Sequence, residues 1–477
     1  MSTSHIFTSE DENVQRTQSL EALRKCTQEV AHYSDPQTEQ EYVKLIQTLH
    51  KKATALGALH QHSQRVACVE KIIKLAKKGL PVNNLSLPKA LETLAECHAM
   101  MGDKPTALTL FKEALDTRAA CGLPEAHPSS TDSIKRMADL YRDQADFEQA
   151  LELHLKVLEL RRSLLSPGEA RRGEGDAVMA EALHDVGTTY HCLGHFERAI
   201  PYAKKALEIK RELVARNKAR REEGEKRRVE GHEEEEEEGE EAEEEDASDE
   251  YEKLMEMMYT LASTYAKNAE FTLAQPIYTE LIARRRDEDP PNYIKLAKAL
   301  NNAGAMHMEA GDGALALPFY EESLDILRMV LPAAHPEIAL AMGNLAEVYR
   351  TAGENEKALV LFETSLTMQR RRAAEAMAGV GGGWGGVDPM GMACTLNNSA
   401  LLYRAMENYP QVEKQMEEAI DWLKRAVPAE HYYVTNMKLS LAAAQKEGEE
   451  KKAGTYDPTK YGMVGLFEKA RRDENLP

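Results

Sequence analysis

One spacing of small and aromatic residues recurs along most of the chain. In its clearest copy, Ala346 is followed by Tyr349, Gly353, Ala358 and Phe362. Six further stretches keep these offsets, at intervals of 42 or 43 residues wherever no insert intervenes. The small and aromatic residues that open the copies are Ala95, Ala138 with Tyr141, Gly187 with Tyr190, Ala262 with Tyr265, Gly304, Ala346 with Tyr349, and Ala400 with Tyr403. A period of this length indicates a repeat architecture rather than one compact core.

The physical chemistry of the spacing predicts a helical hairpin in each copy. A small residue at the Ala346 position, facing Ala358, lets two helices approach closely. Tyr349 and Phe362 supply large packing surfaces, and Gly353 supplies the left-handed residue that ends the first helix. One hairpin cannot bury its own apolar face, so neighbouring hairpins must stack. The expected fold class is therefore an all-α solenoid of stacked hairpins.

The pattern resembles the tetratricopeptide repeat, and its long period resembles the kinesin light chain subtype. "MADLYRDQADFEQAL" (Met137–Leu151) and "HPEIALAMGNLAEVYRTAGENEKAL" (His335–Leu359) carry the likeness most clearly. The resemblance implies a right-handed superhelix that binds other proteins and has no catalysis of its own. The chain departs from kinesin light chains at its N-terminal end, where no sustained heptads predict a coiled coil.

Inserts and flanking segments divide the chain further. The run Glu233–Glu250 carries most of the net charge of −20 and holds no basic residue, so we expect disorder there. In the C-terminal tail, we expect Leu466 and Phe467 to fold back onto the array, and the alternative is a docking peptide for a partner. The predicted segments are 1–37, mostly disordered or short-helical; 38–84, a degenerate helical hairpin acting as a cap; 85–214, copies one to three; 215–250, a charged helix extension and the acidic insert; 251–427, copies four to seven; 428–450, a capping helix; and 451–477, the tail.

Three asparagines at one repeat offset are the first candidate binding residues. Asn302, Asn344 and Asn398 each lie two residues before the small residue of their copy. An asparagine amide can bond both the N–H and the C=O of an extended peptide. The family resemblance also implies groove residues at this offset. The alternative is that these amides only bond between adjacent helices.

Three arginines are the second set of candidates. Arg142, Arg350 and Arg404 each follow the repeat tyrosine and should share the asparagine face. Their guanidinium groups suit the carboxylates of an acidic peptide. The alternative is an ion pair with a neighbour such as Glu347.

Other function classes find little support in the sequence. The cysteines form no CxxC pair, His184 and His191 are two helical turns apart, and "GVGGGWGG" lacks the lysine of a phosphate loop. We therefore predict no catalytic residue, cofactor or metal, no nucleic-acid partner and no membrane insertion. The predicted function is a cytoplasmic scaffold or adaptor for extended protein segments. The alternative is a structural component of a cytoskeletal or ciliary assembly, acting through its convex face and inserts.

Overall fold

The structure is a computed structural model that describes residues 4–32, 36–81, 83–164, 174–229, 237–288, 291–333, 335–378, 388–427 and 432–456. Every regular element in these ranges is a helix, which confirms the all-α solenoid class. The helices fall into two compact units, Met1–Met257 and Met258–Pro477. In this described part, no helix is long and apolar enough to cross a membrane.

The first unit contains the N-terminal helices and the first three copies. Its helices are α1 (Ser4–His32), α2 (Glu39–Ala58), α3 (His62–Gly79), α4 (Ser86–Met100), α5 (Lys104–Ala120), α6 (Pro128–Asp143), α7 (Phe147–Leu164), α8 (Glu174–Cys192), α9 (Phe196–Val229) and the larger part of α10 (Glu237–Lys267). Consecutive helices α2/α3, α4/α5, α6/α7 and α8/α9 pack as hairpins. Copies one to three are the last three of these pairs.

The second unit contains the remaining copies and the capping helix. Its further helices are α11 (Phe271–Arg286), α12 (Tyr293–Glu309), α13 (Gly313–Val330), α14 (Pro336–Thr351), α15 (Asn355–Met377), α16 (Pro389–Ala405), α17 (Tyr409–Ala426) and α18 (Tyr432–Lys452). The pairs α12/α13, α14/α15 and α16/α17 form copies five to seven, and α18 packs on α17. We call the first helix of each copy its A helix and the second its B helix.

Close approach at the small residues explains why the hairpins form. All seven small positions are buried, and a Cβ atom added to Gly187 would lie 3.1 Å from the backbone nitrogen of Ala203. At Gly304 it would lie 3.1 Å from the ring of Tyr320 on the paired B helix. A larger residue at either glycine would have to push its neighbour aside, so close packing favours the small residue.

The turn inside each hairpin needs a left-handed residue seven positions after the small one. Gly353 adopts a φ of 78°, as the sequence predicts. Copies two, four and seven place Ala145, Ala269 and Glu407 at the same point, with φ values near 60°. A left-handed conformation costs a non-glycine residue roughly 1–2 kcal/mol. The hairpin packing therefore sets the turn geometry even where glycine is absent.

The N-terminal segment differs from the prediction. We expected residues 1–37 to be mostly disordered or short-helical, but α1 runs for 29 residues. Leu23 and Val30 pack against the core of α2 and α3, where Val69 and Ile72 are fully buried. This tertiary burial stabilises a helix whose apolar residues show no strong periodicity.

The acidic insert also differs in part. The charged helix extension is present, because α9 continues to Val229, but the acidic run is helical again from Glu237 onward. Glu250 accepts two hydrogen bonds of 2.9 Å from Asn217, which fixes α10 to α9. Glutamate is a good helix former, so a helix anchored at that point extends backward through the run. Residues 230–236, the glycine-rich linker at 379–387 and the tail from 457, with Leu466 and Phe467, lie outside the described residues.

Candidate functional site

The A helices of copies five to seven present one exposed stripe each. On α14, Glu337, Leu340, Asn344, Glu347 and Thr351 recur at intervals of three or four and are half-buried or exposed. The opposite side of the same helix is buried in the core of the second unit. We call the set of equivalent stripes on α12, α14 and α16 the A-helix face. Each amphipathic A helix thus buries one side in the core and leaves the other side accessible.

The three predicted asparagines all lie on this face and are half-buried. Asn302 Nδ2 donates to the carbonyl of Lys298 at 2.8 Å, within its own helix. Asn344 Nδ2 donates to Asn301 Oδ1 at 2.8 Å, which joins α14 to α12. Asn398 makes no hydrogen bond to any residue that the structure describes. Asn344 therefore bonds between adjacent helices, as the alternative anticipated, and Asn302 also has a side-chain hydrogen bond with Tyr259 on α10.

The three predicted arginines are already paired within the chain. Arg142 lies 2.7 Å from Asp139, and Arg350 donates two hydrogen bonds to Glu347, at 2.8 and 2.6 Å. These bonds raise the pKa of Arg350 above its usual value. The structure thus agrees with the ion-pair alternative for both residues.

Arg404 is paired over a longer sequence distance. Its Nε donates to Glu447 Oε2 at 2.7 Å, and the Glu447 side chain on α18 is only 7% exposed. Tyr409 also donates a hydrogen bond to Glu447, at 3.1 Å. The capping helix α18 therefore pairs with Arg404, which would otherwise face solvent at the end of the A-helix face.

The repeat tyrosines have a second role that sequence reasoning missed. Tyr349 donates to Glu321 at 2.9 Å and Tyr403 donates to Glu363 at 3.0 Å, in each case across to the B helix of the preceding copy. Burial and the nearby Glu363 carboxylate raise the pKa of Tyr403 to about 12. The sequence does show a pattern that would have predicted these bonds. Both glutamates directly follow the B-helix aromatic residue of their copy.

Buried serines add a second link of the same kind. Ser323 donates to the carbonyl of Ala297 at 2.8 Å, and Ser365 donates to that of Ala339 at 2.6 Å. Both serines are fully buried, and each bond joins the B helix to the A helix of its own copy. Copies five and six thus share one contact between their A and B helices.

The equivalent stripe in the first unit is charged rather than amide-lined. Lys135 lies 3.4 Å from Asp139 and 3.2 Å from Asp185, and the buried His154 approaches Asp139 at 3.5 Å. Burial lowers the pKa of the neighbouring His184. The charges in this cluster neutralise one another, so it offers an incoming chain fewer unused polar groups than the asparagine stripe does.

Comparison with known proteins supports the repeat assignment. The family model described as "Tetratricopeptide repeat" matches residues 129–212 and 295–371. These ranges cover α6–α9 and α12–α15, four of the helical hairpins described above. The chain contains tetratricopeptide repeats in these two ranges. No curated protein matches it.

Solved structures with similar folds are distant in sequence from this chain. BtubC from P. vanneervenii is 16% identical with a TM-score of 0.41, covering 60% of this chain and 93% of its own. A tetratricopeptide repeat protein from Parabacteroides merdae is 12% identical with a TM-score of 0.44, covering 74% and 98%. A Podosopora anserina putative kinesin light chain, with nearly identical TPR-like repeats, is 14% identical with a TM-score of 0.26, covering 69% and 96%. These likenesses concern the fold alone.

The described residues contain no group of three histidine, cysteine or acidic side chains arranged to hold a metal ion. His184 and His191 are not brought together with a third such ligand.

Proposed function

We propose that this tetratricopeptide repeat protein is a non-enzymatic interaction scaffold that binds an extended segment of a partner protein along the A-helix face of its second unit. One observation carries the proposal: Asn302, Asn344 and Asn398 occupy the same register on three consecutive A helices, half-buried on the exposed stripe. Tetratricopeptide repeats support a role in protein interaction, and the amides identify where on the fold it would occur.

Unused amide groups are what an incoming main chain would bond. Asn344 uses one N–H for Asn301, which leaves its carbonyl oxygen for a backbone N–H. Asn398 has both its carbonyl and its amino group available with respect to the described residues. A half-buried amide gains more from such a bond than a fully solvated one does, because it has already lost part of its hydration.

The spacing of the A helices suits an extended segment. Packed helices lie about 8–10 Å apart, and an extended chain advances about 3.3 Å per residue. Equivalent amides on neighbouring A helices would therefore meet about every third residue of the bound segment. This repeat of contacts recognises an extended main chain with little demand on its side chains.

The paired arginines favour main-chain recognition over recognition of acidic side chains. An acidic partner would have to displace Glu347 from Arg350 or the buried Glu447 from Arg404. Displacing Glu447 would leave a buried carboxylate without its cation, which is costly. We therefore assign the asparagines, rather than the arginines, as the contact residues.

Capture of partners by two variants tests the proposal. The double variant Asn344→Ala with Asn398→Ala should lose most of the partners that proximity labelling and pull-down identify for the unaltered chain. Asn436→Ala is the matched control, because Asn436 is also half-buried but lies on the capping helix α18. It should retain them.

Two outcomes would count against the proposal. Equal partner capture by the double variant and the unaltered chain, with helicity intact by circular dichroism, would exclude the asparagine row as the contact. Retention of the protein in the detergent-insoluble cytoskeleton, with no soluble partner lost in the double variant, would favour the structural alternative.

A further inference from the structure

The B helices carry a buried cation at one repeat register. Arg118, Arg161 and Arg285 are 5%, 6% and 4% exposed, which is unusual for arginine. All three lie 23 residues after the small residue of their copy. Across the seven copies this register holds Arg118, Arg161, Lys210, Arg285, Leu327, Gln369 and Leu423. Copies one to four thus bury a cation there, and copies five to seven do not.

Two of these arginines share a carbonyl contact with the next A helix, and each also pairs with a carboxylate, Arg118 with Glu92 and Arg161 with Asp132. Arg118 donates to the carbonyl of Ser129 at 2.8 Å and Arg161 donates to the carbonyl of Val178 at 3.0 Å. In both cases the carbonyl lies nine residues before the small residue of the next A helix. Arg118 also donates to the hydroxyl of Ser133 at 2.6 Å. The first turns of the next A helix therefore form a guanidinium site that the chain fills with its own arginine.

Copy six keeps the carbonyl and the hydroxyl of this site but lacks the arginine, and Gly343 and Leu340 stand at the positions of Glu92 and Asp132. Gln369 donates to the hydroxyl of Thr395 at 3.2 Å, which matches the contact between Arg118 and Ser133. Thr395 donates in turn to the carbonyl of Gly391 at 3.0 Å, the carbonyl equivalent to that of Ser129. The structure gives Gln369 no hydrogen bond to this carbonyl. The carbonyl and hydroxyl acceptors are thus present without a guanidinium.

A cavity lies where the longer side chain would extend. It has a volume of about 330 Å³ and is bounded by the start of α14, the end of α15 and the start of α16. Met368, Met392 and Leu340 form its apolar walls, and Gln369, Thr395 and Gly391 lie among the polar lining. The volume is at the lower end of the range for small-ligand sites and suits one side chain. In copies five and seven, by contrast, the equivalent Leu327 and Leu423 are buried and fill the register with apolar atoms.

The charges around the cavity are mixed, with carboxylates in excess. Glu337 and Asp388 contribute two carboxylates and Arg372 one guanidinium. Glu337 lies 3.5 Å from Lys298, and Asp388 accepts a hydrogen bond from the backbone of Met390 at 3.0 Å. Arg372 forms no ion pair with a described residue. Three residues after the register, copy four has Glu288, which lies 2.7 Å from Arg285. Copy six has Arg372 in that position instead.

We propose that this cavity is a specificity pocket that accepts an arginine side chain of the bound partner. The aliphatic part of the arginine would pack between Met368 and Met392. Its guanidinium would donate to the carbonyl of Gly391 and the hydroxyl of Thr395, as Arg118 does at the equivalent atoms. Leu340 and Glu337 belong to the exposed stripe of α14, so the pocket borders the A-helix face. The inference rests on the proposed function only in that the arginine belongs to a segment lying along the asparagines.

Methyl NMR of the full chain tests the pocket independently of any partner. The probe is N-acetyl-arginine amide, titrated into protein labelled with ¹³C at the methionine methyl groups. Met368 and Met392 should shift, whereas Met137 in the first unit should not. N-acetyl-citrulline amide has nearly the same shape without the charge and should bind roughly tenfold more weakly or worse, because it loses charge-assisted hydrogen bonds.

Two variants make the test specific. Gln369→Arg with Arg372→Glu copies the Arg285–Glu288 pair of copy four into copy six, so it should fold, fill the cavity and abolish the shifts. Arg372→Gln removes the like charge and should strengthen binding of the arginine probe several-fold. The double variant Asn344→Ala with Asn398→Ala should leave probe binding unchanged, which separates failure of the pocket from failure of the asparagine row.

Three outcomes would overturn the inference. The first is the absence of shifts at Met368 and Met392 at millimolar probe. The second is equal binding of the citrulline and arginine probes. The third is stronger binding of N-acetyl-glutamate amide than of the arginine probe. That result would make Arg372 the ligand-binding group and would mean that the pocket prefers acidic side chains.

Discussion

One substitution made at two glycines should change the stability of the protein in opposite directions. Gly187 and Gly343 both lie inside A helices, on α8 and α14. A Cβ atom at Gly187 would lie 3.1 Å from the backbone nitrogen of Ala203, whereas at Gly343 its nearest neighbour is the side chain of Thr395 at 3.8 Å. Alanine therefore fits at one site and forces two helices apart at the other.

The expected magnitudes follow from two terms. Replacing glycine by alanine in a helix interior stabilises it by up to about 1 kcal/mol. Gly343→Ala should gain this amount and raise the melting temperature by about 2–4 °C, given a unit of some two hundred residues. At Gly187 the overpacking term of about 1–3 kcal/mol opposes the gain, because backbone atoms cannot rotate away. Gly187→Ala should therefore be destabilising by up to about 2 kcal/mol.

Thermal unfolding by circular dichroism measures both variants, and hydrogen exchange followed by mass spectrometry localises each effect. Faster exchange in α8 and α9 is expected for Gly187→Ala, and slower exchange in α14 for Gly343→Ala. Localisation matters because stacked repeats need not unfold in one step. Stabilisation of similar size in both variants would show that the helices at Gly187 are not held at the distance that the structure gives.

Two further predictions concern packing and pH. Phe362 is fully buried, so Phe362→Ala should lower the free energy of unfolding by about 3–5 kcal/mol, as measured by urea titration. A loss below about 1 kcal/mol would contradict its role as a large packing residue between the helices. Burial lowers the pKa of His184, so the unfolded chain binds a proton more readily than the native one does. Stability should thus fall as the pH drops below about 6.5, the unfolded value, and His184→Gln should flatten that dependence; an unchanged slope would refute it.

The hairpins and their stacking were predictable because packing geometry repeats in the sequence. The small residues, the wedge residues and the left-handed turn recur at fixed offsets, and each offset corresponds to one contact between helices. At Ala145, Ala269 and Glu407 the turn keeps its geometry without glycine. Alignment of the seven copies predicts these turns, whereas the sequence of any one of these three copies alone would not.

The N-terminal helix and the acidic helix could not be predicted in this way. Neither belongs to the repeat, so no second copy shows what they pack against. Leu23 and Val30 are stabilised by α2 and α3, and the helix through the acidic run is fixed by the contact of Glu250 with Asn217. Composition alone indicated disorder in both segments, because the stabilising contacts are tertiary.

The candidate site shows the same division. The shared register of Asn302, Asn344 and Asn398 was visible in the sequence, and the structure places all three on one kind of face. Their hydrogen bonds were not predictable, since Asn302 bonds to its own helix and to Tyr259, whereas Asn344 bonds to Asn301 on another helix. The partner of Arg404 was least predictable, because Glu447 lies on a helix outside the repeat.

The repeat also provides a comparison that a single-copy protein lacks. Each copy solves the same packing problem, so a residue that departs from the others shows what the local structure can tolerate. Leucine at the buried cation register replaces polar contacts by apolar ones and fills the space with apolar atoms. Gln369 instead keeps the contact with the next A helix and leaves the space of an arginine unfilled. Uncompensated volume in a close-packed array costs stability. A binding role for the pocket would offset that cost, since an incoming guanidinium would restore the carbonyl contact that copies one and two make with their own arginine.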